Sequence, residues 1–233
     1  MKEEIWYSFQ GSYQKEEAVY KEEAVYYDPD RFEWSKQVEN SFPVIRNEIL
    51  EFLESNQLTP YFNKEMASKP KSWKAASFMF WGFSFRKNAQ QVPQTMTVLK
   101  QIPGLVSASI SMVEPHTEIK PHHGDTNAII RCHLGIVIPG KLPECGMEVK
   151  GEKKSWEEGK LLLFNDAQKH AAWNFTDQRR VLLLFDVIRP EFLNREKEIT
   201  KTVLTALVWQ MIMGKITPLK ILPRSFRKQL INR

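Results

Sequence analysis

The chain has 233 residues, 42% apolar and 26% charged, the balance of an ordinary globular protein with a sizeable core. Lysine and arginine exceed aspartate and glutamate by 33 − 28 = 5. Six of the cations lie in Gly214–Arg233, where there is no acid, and no basic stripe with interleaved aromatics runs through the body, so nucleic-acid binding is not indicated.

Two cysteines, Cys132 and Cys145, do not make a disulfide framework. The N-terminus, MKEEIWYSFQ, carries acids where a signal peptide needs an apolar run. No window reaches the ~18–20 apolar residues of a spanning helix. The expectation is a soluble, cytoplasmic protein.

In chain order, residues 1–31 read as an N-terminal extension. KEEAVY stands twice in tandem, at 15–20 and 21–26, as in a slippage duplication of a tolerant surface segment. Phe32, Trp34, Val38, Phe42, Ile45, Ile49, Phe52 and Leu53 recur at three- and four-residue steps and predict a helix over 32–57, interrupted or restarted at Pro43. Alternation at Phe78, Phe80 and at Phe83, Phe85 predicts strands. From Val106 onward short β-prone runs follow one another: LVSASISMV, AIIRCHLGIVI, GMEVKG, GKLLLFND, HAAWNF and RRVLLLFDVI. Pro115, Gly124-Asp125, Pro139-Gly140, Gly151 and Asn165-Asp166 separate them, a texture that predicts a sandwich or barrel. The functional domain is placed at 32–192 with its core at 90–192. Ile199, Val203, Ala206, Leu207 and Met211 predict a helix within a basic C-terminal extension, 193–233.

Four of the five histidines (His116, His122, His123, His133) fall within eighteen residues, and His170 lies 48 residues after His122. A non-haem iron site needs two imidazoles, usually with a carboxylate, on one face of a strand-rich domain. Alternate residues of a strand point the same way, so His123-Gly124-Asp125 is a literal His-x-Asp, and His122-His123-Gly124 is a second possible register. Arg131 and His133 share a strand face, where a cationic pair suits a dicarboxylate. Arg180, at the head of an apolar strand, either meets an anion or pairs with Asp177 or Asp186.

The run from Ile110 to Asn127, with Pro115, Pro121-His122-His123-Gly124 and Asp125 in order, resembles the aspartyl/asparaginyl β-hydroxylase family. So do Ile130–Pro139, Ser155–Lys160, Phe164-Asn165-Asp166, His170–Asn174, Arg180 and Asp186-Val187. The resemblance implies a mainly β fold with flanking helices: a double-stranded β-helix, the jelly roll of the cupins. It implies Fe(II) on His122 and His170, with Gly124 where most of the wider superfamily has a carboxylate. It places 2-oxoglutarate on Ser111, Arg131, His133 and Arg180, with Arg180 and Ser111 at the distal carboxylate and Arg131 and His133 near the metal-chelating end. His116 and Trp173 are read as structural.

The chemistry so implied is O₂-dependent hydroxylation of an unactivated C–H of an aspartyl, asparaginyl or related carboxylate- or amide-bearing substrate. A fatty-acyl hydroxylase, held to a membrane surface by the basic tail, is the alternative. A non-catalytic cupin-like binding module is the alternative of another class.

Overall fold

The computed structural model describes residues 5–8, 23–61 and 65–212. In chain order the elements are β1 (Tyr26–Tyr27), α1 (Glu33–Asn40), α2 (Phe42–Ser55), β2 (Thr59–Pro60), β3 (Trp73–Phe80), β4 (Phe83–Ser84), α3 (Arg86–Ala89) and α4 (Pro93–Leu99). Then come β5 (Leu105–Val113), β6 (Thr117–His122), β7 (Ile129–Val137), β8 (Cys145–Val149), β9 (Glu152–Lys154), β10 (Leu161–Asn165), β11 (His170–Asn174), β12 (Arg180–Ile188) and α5 (Glu196–Ile212). All strand pairings are antiparallel. One sheet runs β1-β10-β7-β12-β5-β3-β2, with β4 on β3, and the other β6-β11-β8-β9. Two antiparallel sheets facing each other across a shared core make the expected jelly roll.

The expected helix over 32–57 is two helices. Pro43 sits in the first turn of α2, where a missing N–H costs nothing, so it restarts the helix rather than bending it. Glu48 of α2 accepts the amides of Gln94 (2.9 Å) and Thr95 (2.7 Å), capping the start of α4 and tying the two helices together.

The central strands β7 and β12 are apolar on one face and carry chemistry on the other. Ile130, Cys132, Leu134 and Ile136, with Val181, Leu183, Phe185 and Val187, pack on one side with Ile45, Ile49 and Leu99 of the helices. The intervening residues, Arg131, His133, Arg180, Leu182 and Asp186, face the space between the sheets. Strands covered on both faces read as nearly unbroken hydrophobic runs, and a polar residue there is expensive unless something pairs with it. Ser107 and Ser111 of β5 belong to the same inner face.

The described parts of the expected N-terminal extension, 5–8 and 23–31, pack on the domain. Trp6 and Tyr7 are buried. The Trp6 amide donates to Asn127 Oδ1 (2.7 Å), and Tyr7 forms a β-bridge with Thr126. Glu23, in the second KEEAVY copy, pairs with Arg189 (2.9 Å) and accepts from Asn127 (3.1 Å) and Asn165 (2.6 Å). A charged residue so held is part of the domain's frame and not a tolerant surface position. The first KEEAVY copy and the basic tail lie outside the described residues. Among the described residues no helix is long and apolar enough to cross a membrane.

Candidate active site

β6 ends and β11 begins with a histidine, and the two are cross-strand partners: His122 opposite His170, next to a bulge in the ladder. Their ring centroids are 4.1 Å apart. Nδ1 of each ring lies 2.8 Å from a carbonyl two residues upstream, Lys120 for His122 and Gln168 for His170. A carbonyl only accepts, so each Nδ1 carries the hydrogen and each Nε2 keeps a lone pair, the tautomer a metal needs. Burial pulls His122 down to about 4, against its bond to Lys120 and aided by Arg131. Burial, and then His122 itself, holds His170 well below the ordinary range. Both imidazoles are therefore neutral at pH 7.

His123 points elsewhere. Its Nδ1 donates to the Ala167 carbonyl at 2.8 Å, on the loop before β11. Successive residues of an extended chain face opposite ways, so only one of His122 and His123 can meet His170.

Gly124 has a specific steric reason. A Cβ there would lie 1.6 Å from Oδ2 of Asp166. The Asp166 carboxylate occupies the room that a side chain at 124 would need, and its Oδ1 is 3.6 Å from Nε2 of His170. Asp166 is pushed up to about 7, chiefly by burial, with Asp186 and Asp125 adding and Arg131 opposing. Sequence reasoning gave this carboxylate no role. Its signal was its position four residues before His170, opposite a glycine that lacks a side chain.

Arg131 and His133 are not the cationic pair the spacing suggested. Arg131 donates from Nε and Nη2 to Asp186 (2.8 and 3.1 Å), and its Nη1 is 2.6 Å from Asp166. Its charge is taken up by protein carboxylates. His133 is neutral: burial, and then Arg180, lower it well below the ordinary range. The Trp156 indole N–H donates to its Nδ1 at 3.1 Å, which places the hydrogen of His133 on Nε2.

Arg180 is the opposite of Arg131. It is 2% exposed, and its Nε and Nη1 have no hydrogen-bond partner among the described residues. Asp186 is engaged by Arg131, and Asp177 pairs with His116 on the surface (2.9 Å), so neither neutralises it. Its guanidinium lies over the Trp156 ring, 4.4 Å from the centroid. Burial lowers it to about 10, which leaves it a cation at neutral pH. His133 Nε2 is likewise buried without a partner among the described residues. Ser111 Oγ accepts from the Trp73 indole at 3.1 Å and so keeps its own hydrogen to donate.

These residues close a ring of contacts. Trp156 touches Arg180 and His133, Phe164 touches His133 (5.0 Å) and His170 (5.2 Å), His170 faces His122, and Trp73 lies 6.3 Å from His122 and bonds Ser111. Tyr61 stacks on Trp73 at 3.6 Å. The ring presents two neutral lone pairs at one point and a set of N–H and O–H donors at another.

Residues 39–190 match the family described as aspartyl/asparaginyl beta-hydroxylase, a stretch that holds β2 to β12 and every residue of this ring. The chain belongs to that family. Among relatives of this hydroxylase family, an ornithine lipid ester-linked acyl 2-hydroxylase of Rhizobium tropici is 32% identical over 169 residues, 70% of this chain and 60% of that protein. The human aspartyl/asparaginyl beta-hydroxylase is 30% identical over 169 residues, again 70% of this chain but 22% of its own length. The matched stretch thus spans less than two thirds of either relative. An oxidoreductase of the 2OG-Fe(II) oxygenase family from Burkholderia pseudomallei superposes with a TM-score of 0.44 at 10% identity, over 60% of this chain and 77% of that one. That likeness carries nothing about chemistry.

Proposed function

We propose that this family member is an Fe(II)- and 2-oxoglutarate-dependent hydroxylase, with iron on His122 and His170 and the dicarboxylate between Arg180 and the metal. Arg180 carries the reading. A buried, unpaired cation costs several kcal/mol, a cost that a bound carboxylate offsets. The groups around it, His133 Nε2–H and the Ser111 hydroxyl, are donors as well, so the pocket suits oxygen-rich anions and not cations.

Bound iron would supply O₂ activation, coupled to oxidative decarboxylation of 2-oxoglutarate to succinate and CO₂ and to hydroxylation of a C–H bond. The chain's own residues do the rest. Lys120 and Gln168 carbonyls aim the two imidazoles. Asp166 places a carboxyl group beside them, in the room left by Gly124. Arg131 and Asp186 hold Asp166 in place and leave Arg180 as the cation open to a ligand. This differs from the role first expected for Arg131: it acts as a positioning residue because its donors are already used.

Two substrates remain in view: an aspartyl, asparaginyl or related side chain, from the family description, and a lipid acyl chain, from the rhizobial relative. The surface at the metal end of the barrel favours the second.

The test is an anaerobic titration with Fe(II) and 2-oxoglutarate, followed by visible absorption. A weak charge-transfer band is expected when both are present and absent in His170→Ala. No band from folded, iron-loaded protein would overturn the reading and leave a cupin-like binding module.

A further inference from the structure

Helix α5 is apolar on two sides. One side, with Ile199, Val203 and Leu207, is buried with Val106, Ile129 and Ile188 at the end of the barrel. The other carries Val208 and Trp209 in helical register with Lys197 and Lys201, with Leu204 at its edge packed partly on that cluster, and faces the β3–β4 turn at Phe83 across an open groove of about 550 Å³. Trp209 is 61% exposed. A surface helix ordinarily turns its second face polar, and an exposed apolar groove rimmed by cations marks a contact surface.

Register fixes where this groove lies. Ile188 pairs with Ile129, and Asp186 with Arg131 two residues further in, so α5 covers the barrel end that holds the metal-side carboxylates. Tyr7 packs in the α5 cluster and bridges Thr126, on the loop that follows His122. Lys169 precedes His170, and Lys150 follows Val149, the residue paired with His170; the Lys150 amide bonds the Lys169 carbonyl at 2.9 Å. Lys150, Lys169, Lys197 and Lys201 are all exposed. Of the acids at this end, Glu191 and Glu198 pair with Arg189 and Arg195, and Asp125, Glu152 and Glu196 stand beside the lysines. Directly after α5 the sequence holds six cations and no acid over Gly214–Arg233.

We infer that this end of the molecule docks on an anionic bilayer, with Trp209 at headgroup level and the lysines against anionic headgroups. The groove then opens toward the acyl region, next to the metal end of the barrel. The docking stands on the surface alone; its use in delivering an acyl chain rests on the hydroxylase reading.

Flotation of the full chain with phosphatidylcholine vesicles, with and without phosphatidylglycerol, tests it. Binding is expected on the anionic vesicles only and is weakened by salt. Each neutralised lysine lowers partitioning about fivefold, so Lys197→Gln with Lys201→Gln lowers it about 25-fold. Trp209→Ala lowers it about tenfold or more. Circular dichroism melting and the Fe(II)–2-oxoglutarate band stay unchanged in these surface variants. The docking is overturned if protein that shows the band fails to float, or if binding ignores Trp209 and the lysines. It is also overturned by a dimer that dissociates in Trp209→Ala, since a second copy then covers the groove. Flotation intact with no absorption band sinks the hydroxylase reading and leaves the docking standing.

Discussion

Two arginines on neighbouring strands, both facing the barrel interior, have opposite surroundings. Arg131 sits between Asp166 and Asp186, and its charge is spent inside the protein. Arg180 is more deeply buried, yet it rests on an indole with two nitrogens unbonded among the described residues. A buried cation with its counter-ions is framework. A buried cation without one marks where a ligand's charge belongs. The barrel thus has one end rich in carboxyl groups and neutral imidazoles, the metal end where the proposed iron belongs, and another end made of donors.

The largest expected effect separates the two ends outright. His122→Ala or His170→Ala should cut 2-oxoglutarate-dependent succinate formation by more than about a thousandfold. His123→Ala, whose ring is turned to Ala167, should leave the iron-dependent absorption in place. If His123→Ala abolishes the band and His122→Ala does not, the metal end has been assigned to the wrong histidine.

Arg180→Met should raise the Kd for 2-oxoglutarate about 100-fold, since it removes a fully desolvated charge partner. The unliganded protein should not suffer: relieving an unpaired buried cation holds stability level or raises it by about 1 kcal/mol in urea denaturation. Asp186→Asn should do the reverse. It leaves Arg131 half-paired and destabilises by about 3 kcal/mol, while 2-oxoglutarate affinity in the folded fraction changes little. Equal stability losses in the two variants would erase the distinction between the arginines.

Much of this was legible in the sequence, for reasons that can be named. The two-residue period placed Arg131 and His133 on one face, and an arginine heading an apolar strand flagged Arg180. Other features depend on contacts that no local pattern reports. Arg131 is neutralised from 35 and 55 residues away, by Asp166 and Asp186 on other segments. Spacing alone favoured His123-x-Asp125, whereas the family resemblance favoured His122, the ring that the β6–β11 ladder sets against His170. Trp6, Tyr7 and Glu23 looked like part of an add-on because their partners, Thr126, Asn127 and Arg189, lie more than a hundred residues downstream.

Acid should act on the buried histidines and not on Arg180. Arg180, at about 10, does not titrate near neutrality, whereas His122 does so with a known sign. Its folded value, about 4, lies below the ordinary 6.5. Below pH 6.5 the unfolded chain takes up a proton that the folded chain refuses. The stability from this group is therefore complete above that pH and is lost as pH falls toward 4. Between pH 7 and pH 5 the loss is about 2 kcal/mol. Asp166 works the other way: its acid is raised to about 7, so its contribution grows as pH falls over the same range. Wild type alone sums Asp166 with His122 and the other lowered histidines, His123, His133 and His170. The difference between wild type and His122→Gln, both metal-free, cancels Asp166 and leaves His122 together with its effect on His170, which has the same sign. Urea midpoints at pH 7 and pH 5 should show wild type losing ground to the variant by that amount. A difference that stays constant with pH would mean that His122 is not held neutral by burial, and the metal end would lose its preformed lone pair.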